Sequence, residues 1–386
     1  MRVTLTVLAG PNVGHVIAFD GHDSFVVGRS KRTSAQLPEK DPYLSRYHFL
    51  IETNPPLCRV VDLQSRNKTF VNNEPADAAD LHDGDLLKAG HTVFRVGVDG
   101  TVPPDPERTA VRPPSSGELT IPGYQLHREL GRGAMGVVYA AVREADGRAV
   151  AVKTIQPAIQ PDEKTVQRFL REAAILGQID HPNVVRHLDG GEAGGVLWFA
   201  MEYVPGVDGR KWVRDRGPMP VPLATAVAAD LVRALASAHA KGFVHRDVKP
   251  ANVLLEPVPG GGLRVRLADF GLARAYDASR MSGLTLTGEP AGTPAFMAPE
   301  QIIDFRNVGP AADMYSTAAT LYYLLTGKFP FDPPATVVEL YRMILEDEPV
   351  PVYARRPDVP AELADAIGRG LNKHPRDRCW PVAPSA

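Results

Sequence analysis

Between residues 99 and 120 the chain reads DGTVPPDPERTAVRPPSSGELT, with five prolines and almost no large apolar side chain. Such a stretch cannot bury enough surface to fold alone and reads as a semi-extended linker. It separates two stretches of different pattern, so one continuous core across the chain is excluded. The length of 386 residues agrees, since chains of that size split into two or three domains.

Residues 1–98 alternate polar and apolar over short runs. Val3, Leu5 and Val7 mark a half-buried strand, and β-type runs follow at His15–Phe19, Ser24–Val27, Tyr47–Glu52, Cys58–Leu63, Thr69–Asn72 and Thr92–Val96. Turn signals such as Pro11-Asn12, Asp20-Gly21, Asn54-Pro55-Pro56 and Asp83-Gly84 separate them. The spacing predicts an all-β sandwich. From residue 121 to 386 strands come first and helices later. Val166, Phe169, Leu170, Ala173 and Leu176 fall on one helical face, and Ala224–Ala240 and Asp313–Thr326 are rich in Ala and Leu at helical spacing. That order predicts an α+β domain of two lobes.

The 43 basic and 45 acidic residues leave a formal charge of -2, which gives no general attraction to nucleic acid or an anionic membrane. Neither a signal peptide nor a bilayer-spanning apolar run is expected. Cys58 and Cys379 fall in different predicted domains, so a disulfide is not expected. A reducing, cytoplasmic location fits better. The glycosylation match at Asn67-Lys68-Thr69 is treated as chance for the same reason.

The second domain carries a set of motifs in a fixed order. Gly131-Arg132-Gly133-Ala134-Met135-Gly136-Val137-Val138 is a glycine-rich loop, followed by the apolar strand Val150-Ala151-Val152-Lys153. Glu172 lies in a helical pattern, and Ala200-Met201-Glu202-Tyr203-Val204 is an apolar stretch further on. His245-Arg246-Asp247-Val248-Lys249-Pro250-Ala251-Asn252, Asp269-Phe270-Gly271 and Ala298-Pro299-Glu300 complete the series. Each alone has an ordinary explanation: a turn, a solvated lysine, an exposed helix charge. In this order they resemble the protein kinase family, and of the Ser/Thr type because Lys249 stands two residues after Asp247.

The resemblance implies ATP and Mg2+ as cofactors and protein Ser or Thr hydroxyls as acceptors. Asp247 would orient the attacking hydroxyl, Lys249 would stabilise the transferring phosphoryl group, and Lys153 would contact the phosphates and pair with Glu172. Asn252 and Asp269 would hold the metal. Gly131, Gly133, Gly136, Val138, Ala151, Met201, Glu202, Val204 and Leu254 would form the ATP site. Arg378 would pair with Glu300, and Asp313 would hold the catalytic-loop backbone or, more simply, cap its helix. The family's last helix is expected to be shortened or absent, because the sequence ends soon after Arg378. Between Asp269 and Glu300, Thr285 and Thr287 would be phosphorylation sites, with Arg246 a ready partner for the phosphate. The competing reading is a pseudokinase or scaffold. The presence of Lys153, Asp247, Asn252 and Asp269 argues against it.

In the first domain, Gly28-Arg29-Ser30, Ser45-Arg46-Tyr47-His48 and Asp62–Asn72, with Leu81–Asp85 and Gly90, resemble an FHA domain. The resemblance implies phosphothreonine binding by Arg29 and Ser45, with Arg46, Arg66 and Asn67 beside them. His48 and Asn72 would brace the loops. Arginine suits this task because its fork makes charge-assisted bonds to phosphate. The departure is Lys68, where the family favours glycine. The expected partners are protein substrates and phosphothreonine peptides, including the chain's own sites, with self-association feasible. Nucleic acid is not expected among them.

Overall fold

The computed structural model describes residues 1–20, 23–54, 57–99, 119–133, 136–155, 163–260, 262–270, 294–305 and 307–378. They form two compact units: Met1–Pro103 with Pro218–Val221 and Asp277–Ala386, and Pro104–Gly217 with Pro222–Tyr276.

The first unit contains the sandwich. One sheet has the strand order β2-β1-β10-β9-β6-β7, from β1 (Arg2–Ala9), β2 (Val16–Asp20), β6 (Thr69–Val71), β7 (Glu74–Pro75), β9 (Leu86–Ala89) and β10 (Thr92–Asp99). The other has the order β3-β4-β5-β8, from β3 (Asp23–Val27), β4 (Phe49–Asn54), β5 (Leu57–Asp62) and β8 (Ala78–Asp80). Every pairing in both sheets is antiparallel. Val3, Leu5 and Val7 point inward with Phe49, Ile51, Val60, Phe94 and Val96, as the alternation required. The expected strands are present, with ends shifted by up to three residues. The two-residue β7, three-residue β8 and four-residue β9 were not foreseen: they are too short to show a clear period.

Alternation along β3, β4 and β5 gives the second sheet another apolar face. Val26, Leu50 and Val61, with Tyr47 and Leu63, pack against Ala295, Met297, Ile302, Ile303, Phe331, Leu340, Tyr341, Ile344 and Leu345. These partners belong to helices of the same unit and the segments beside them: α4 (Pro299–Ile303) and α6 (Val337–Glu346). An antiparallel sheet usually leaves one face to water, but this one is covered on both. The Arg342 Nε donates to the Gln64 side chain (3.2 Å), and Ser34 Oγ donates to the Ile303 carbonyl.

The same unit holds α5 (Pro310–Thr326), which starts with proline at its first position and stops at Gly327, φ 69°. Gly309 is its N-cap, so Asp313, wholly buried one turn in, is not a capping residue. α7 (Val352–Arg355) and α8 (Ala361–Gly370) follow, then a single 3-10 turn at Pro375–Asp377. The Arg378 guanidinium is fully buried and bonds both oxygens of Glu300, at 2.5 and 2.7 Å.

The second unit is built on an antiparallel sheet of order β11-β12-β13-β15-β14, from β11 (Tyr124–Gly133), β12 (Gly136–Arg143), β13 (Ala149–Ile155), β14 (His187–Ala193) and β15 (Val196–Glu202). Helix α1 (Glu163–Leu176) buries Phe169 and Ala173 against it, with Val166, Leu170 and Leu176 half-buried alongside, which is the face expected from the sequence. α2 (Gly209–Arg216), α3 (Val221–His239) and a small sheet of β16 (Val207–Asp208), β17 (Val253–Pro257) and β18 (Leu263–Leu267) complete it. By length and composition α3 could cross a membrane, contrary to the expectation that no run would qualify. Its Val227, Leu231, Leu235 and Ala238 are instead buried within the protein.

Candidate active site

The hairpin of β17 and β18 sets the geometry. Val253 pairs with Leu267, so Asn252, just before β17, and Asp269, two residues after β18, lie at the same end of the ladder. The amide of Ala268 donates to the Asn252 carbonyl (2.9 Å) and fixes that end. His245 is buried, and one ring nitrogen lies 3.0 Å from the Ala268 carbonyl while the other accepts from the Asp247 amide (3.2 Å). The loop carrying Asp247 is thereby tied to the strand carrying Asp269.

Within that frame the polar groups meet. Lys249 Nζ lies 2.8 Å from Asp247 Oδ2. Asn252 Nδ2 donates to the Asp247 carbonyl (2.8 Å) and to its Oδ2 (3.2 Å), so Oδ1 is the atom Asn252 has to offer a cation. Lys153, from β13, donates to Asp269 Oδ2 at 2.7 Å. Asp269 Oδ1 is buried and has no partner. Leaving a carboxylate oxygen in that state is costly, and a hard cation with an affinity for oxygen would satisfy it. Asp269 also sits in the left-handed region, φ 58°, which Asp tolerates better than most residues.

Gly133 and Gly136 pair at the end of the β11–β12 hairpin. At Gly136, φ is 142° and a Cβ would come within 1.8 Å of the Thr154 carbonyl oxygen, so only glycine fits. At Gly131 a Cβ would meet no protein atom within 4 Å, so protein packing does not explain that glycine. Ala151 and Met201 are buried in one apolar cluster, against which Val138, Val204 and Leu254 pack half-buried. The Glu202 amide donates to the Arg186 carbonyl (2.9 Å), and its carboxylate pairs with Arg266. Behind Met201 a cavity of about 30 Å³ is lined by Leu176, Val185, His187, Phe199 and Phe270. The Glu172 side chain and Thr285 and Thr287 lie outside the described residues.

A protein kinase domain model matches residues 124–382. The chain belongs to the protein kinase family. An FHA domain model matches residues 25–90, ahead of it. Serine/threonine-protein kinase PkaA of Streptomyces coelicolor is 40% identical over 267 residues, covering 66% of this chain and 47% of the relative. PknF of Mycobacterium tuberculosis is 38% identical over 263 residues, covering 67% and 54%. The chain thus spans about half the length of these curated relatives. The crystal structure of the Mycobacterium tuberculosis PknI kinase domain, 33% identical, has a TM-score of 0.54 and covers 68% of this chain and 92% of that one. The crystal structure of Rad53 1–466 in complex with AMP-PNP is 21% identical with a TM-score of 0.55, covering 98% of this chain and 96% of that one. At that identity the likeness is one of fold.

The FHA loops form a second cluster of candidate residues. The Arg29 and Ser30 amides donate to the Ser45 and Arg46 carbonyls (3.0 and 3.1 Å), and the Arg66 amide donates to Ser45 Oγ (3.0 Å). The backbones approach so closely that a Cβ on Gly28 would lie 2.4 Å from the Arg46 carbonyl oxygen. Arg29, Arg46 and Arg66 are exposed. His48 is fully buried: its Nδ1 accepts from the Ser45 amide (3.0 Å), so Nε2 carries the proton and donates to the Lys68 carbonyl (3.2 Å). Burial lowers its pKa from 6.5. Asn67 Nδ2 donates to the Tyr43 carbonyl (2.7 Å), while Asn72 binds both the Asp85 carboxylate and the Leu86 amide. Lys68 has φ 62°, the left-handed conformation that suits the glycine it replaces.

Proposed function

We propose that this chain is an active serine/threonine protein kinase that transfers the γ-phosphate of ATP to protein hydroxyls, and that its FHA module recruits phosphothreonine peptides. The observation carrying this reading is the contact series Lys153–Asp269 and Lys249–Asp247–Asn252, with Asp269 Oδ1 left unpaired. Asp247 accepts a hydrogen bond from the incoming hydroxyl and aligns it. Lys249 sits beside that carboxylate, where it balances charge on the phosphoryl group as it transfers. Asn252 and Asp269 hold the divalent ion, Mg2+ by their oxygen donors, which when bound neutralises phosphate charge. Val138, Ala151, Met201, Val204 and Leu254 enclose the adenine, and the open backbone at Gly131 admits the phosphates. In the FHA module, Arg29, Ser45, Arg46, Arg66 and Asn67 read the phosphothreonine; Thr285 and Thr287 are candidate sites made by the kinase itself. Incubation with radiolabelled ATP and a mixed protein substrate, then phosphoamino-acid analysis, tests the acceptor class. Phosphoserine and phosphothreonine are expected, and phosphotyrosine as the main product would overturn it.

A further inference from the structure

Each chain segment that carries a candidate phosphate ligand also carries a residue seated on the kinase helices. Between β3 and β4, Arg29 is followed by Ser34, whose hydroxyl bonds the Ile303 carbonyl in α4. Arg46 is followed directly by Tyr47, which is buried among the α4 and α6 side chains. Between β5 and β6, Leu63 lies in the same cluster and Gln64 accepts from Arg342 of α6, two residues ahead of Arg66. The ligand residues are cross-linked by the Arg29–Ser45, Ser30–Arg46 and Arg66–Ser45 bonds, so they move together. Ordering irregular loops costs backbone entropy, and a site ordered before its ligand arrives binds more tightly.

We propose that α4 and α6 of the kinase preorganise the phosphothreonine site of the FHA module, so that ligand binding and the module's seat on the kinase stabilise each other. The inference rests on the phosphothreonine-binding reading above. Ser34, Tyr47, Gln64 and Arg342 are positioning residues; none is assigned to the phosphate. The coupling is reciprocal: the kinase tightens phosphopeptide binding, and a bound phosphopeptide holds α6 more firmly. The module therefore acts as a sensor built onto the kinase helices, beyond its recruiting role.

The test uses the full chain and a fluorescent degenerate phosphothreonine peptide library, with the unphosphorylated library as control. Wild type should bind only the phosphorylated library, and Arg29→Ala should lose that binding. If wild type does not discriminate, the phosphothreonine reading itself fails and the coupling falls with it. If it does, Ser34→Ala combined with Arg342→Ala should weaken binding by about five- to tenfold, while Ser34→Thr, which keeps the hydroxyl, should bind as wild type does. Unchanged affinity in the folded double variant would overturn the proposal. Should that variant not fold, amide hydrogen exchange on wild type decides: the library should slow exchange in 337–346, and no change there would overturn it.

Discussion

At His48 one imidazole holds two of the loops that carry the proposed phosphothreonine ligands. Its unprotonated Nδ1 takes the Ser45 amide, and its protonated Nε2 meets the Lys68 carbonyl. A second proton would have to enter at Nδ1 and break the first bond. Burial depresses the folded pKa below 6.5, so the contribution to stability is complete above the unfolded value and is lost as pH falls toward the folded one. Phosphopeptide affinity and the stability of the sandwich should therefore decline together on acidification from about pH 6.5. A titration by fluorescence anisotropy and urea unfolding checks this. His48→Gln should flatten the decline; an unaltered pH profile in that variant would assign the effect to another group. The FHA resemblance marked His48 as a loop brace from the sequence. It could not show the tautomer, which depends on the Lys68 carbonyl arriving from a segment 20 residues away.

The helices that follow residue 293 are fixed by an ion pair. Arg378 is buried at the end of the described chain and grips Glu300 in α4 through both oxygens, while also donating to the Asn372 and Ala311 carbonyls (2.7 and 2.9 Å). Removing one member of such a pair leaves the other charge buried without compensation. Arg378→Ala should destabilise this unit by about 3–5 kcal/mol, read as a lower urea midpoint. A loss below about 1 kcal/mol would mean that solvent reaches the site freely and the pair acts as a surface one. The resemblance to the kinase family implied this pairing from the sequence. The resemblance also grouped Asn252 with Asp269, but the hairpin of β17 and β18 that places them at one end was not read from the sequence. The glycine-rich loop was legible for a less specific reason, and the structure separates its members: Gly136 is demanded by the Thr154 carbonyl, Gly131 by nothing in the protein.

For the molecule as a whole, the sequence suggested a sandwich tethered by a proline-rich linker. The structure of the first unit instead seats β3, β4 and β5 on α4 and α6. The signal was present in the continuous apolar runs Phe25-Val26-Val27, Phe49-Leu50-Ile51 and Val60-Val61, which suit strands buried on both faces. Periodicity distinguishes two faces but does not say what covers each, so the contact was not legible from it. Leu50→Ala provides a direct measure. As an interface residue, 2% exposed, it should cost about 2–5 kcal/mol; a water-facing strand position would change by about 0.5 kcal/mol or less.

The catalytic claim is tested most directly by comparing phosphoryl transfer from radiolabelled ATP to protein substrate in wild type, Asp247→Asn and Lys153→Met. Asp247→Asn keeps the shape of the side chain that Lys249 and Asn252 surround, but removes the charge that aligns the hydroxyl. Wild type should label substrate, and both variants should fall by about 10²–10⁴-fold while retaining the folded state by circular dichroism. Transfer at the wild-type rate in either folded variant, or none in wild type, would contradict the account.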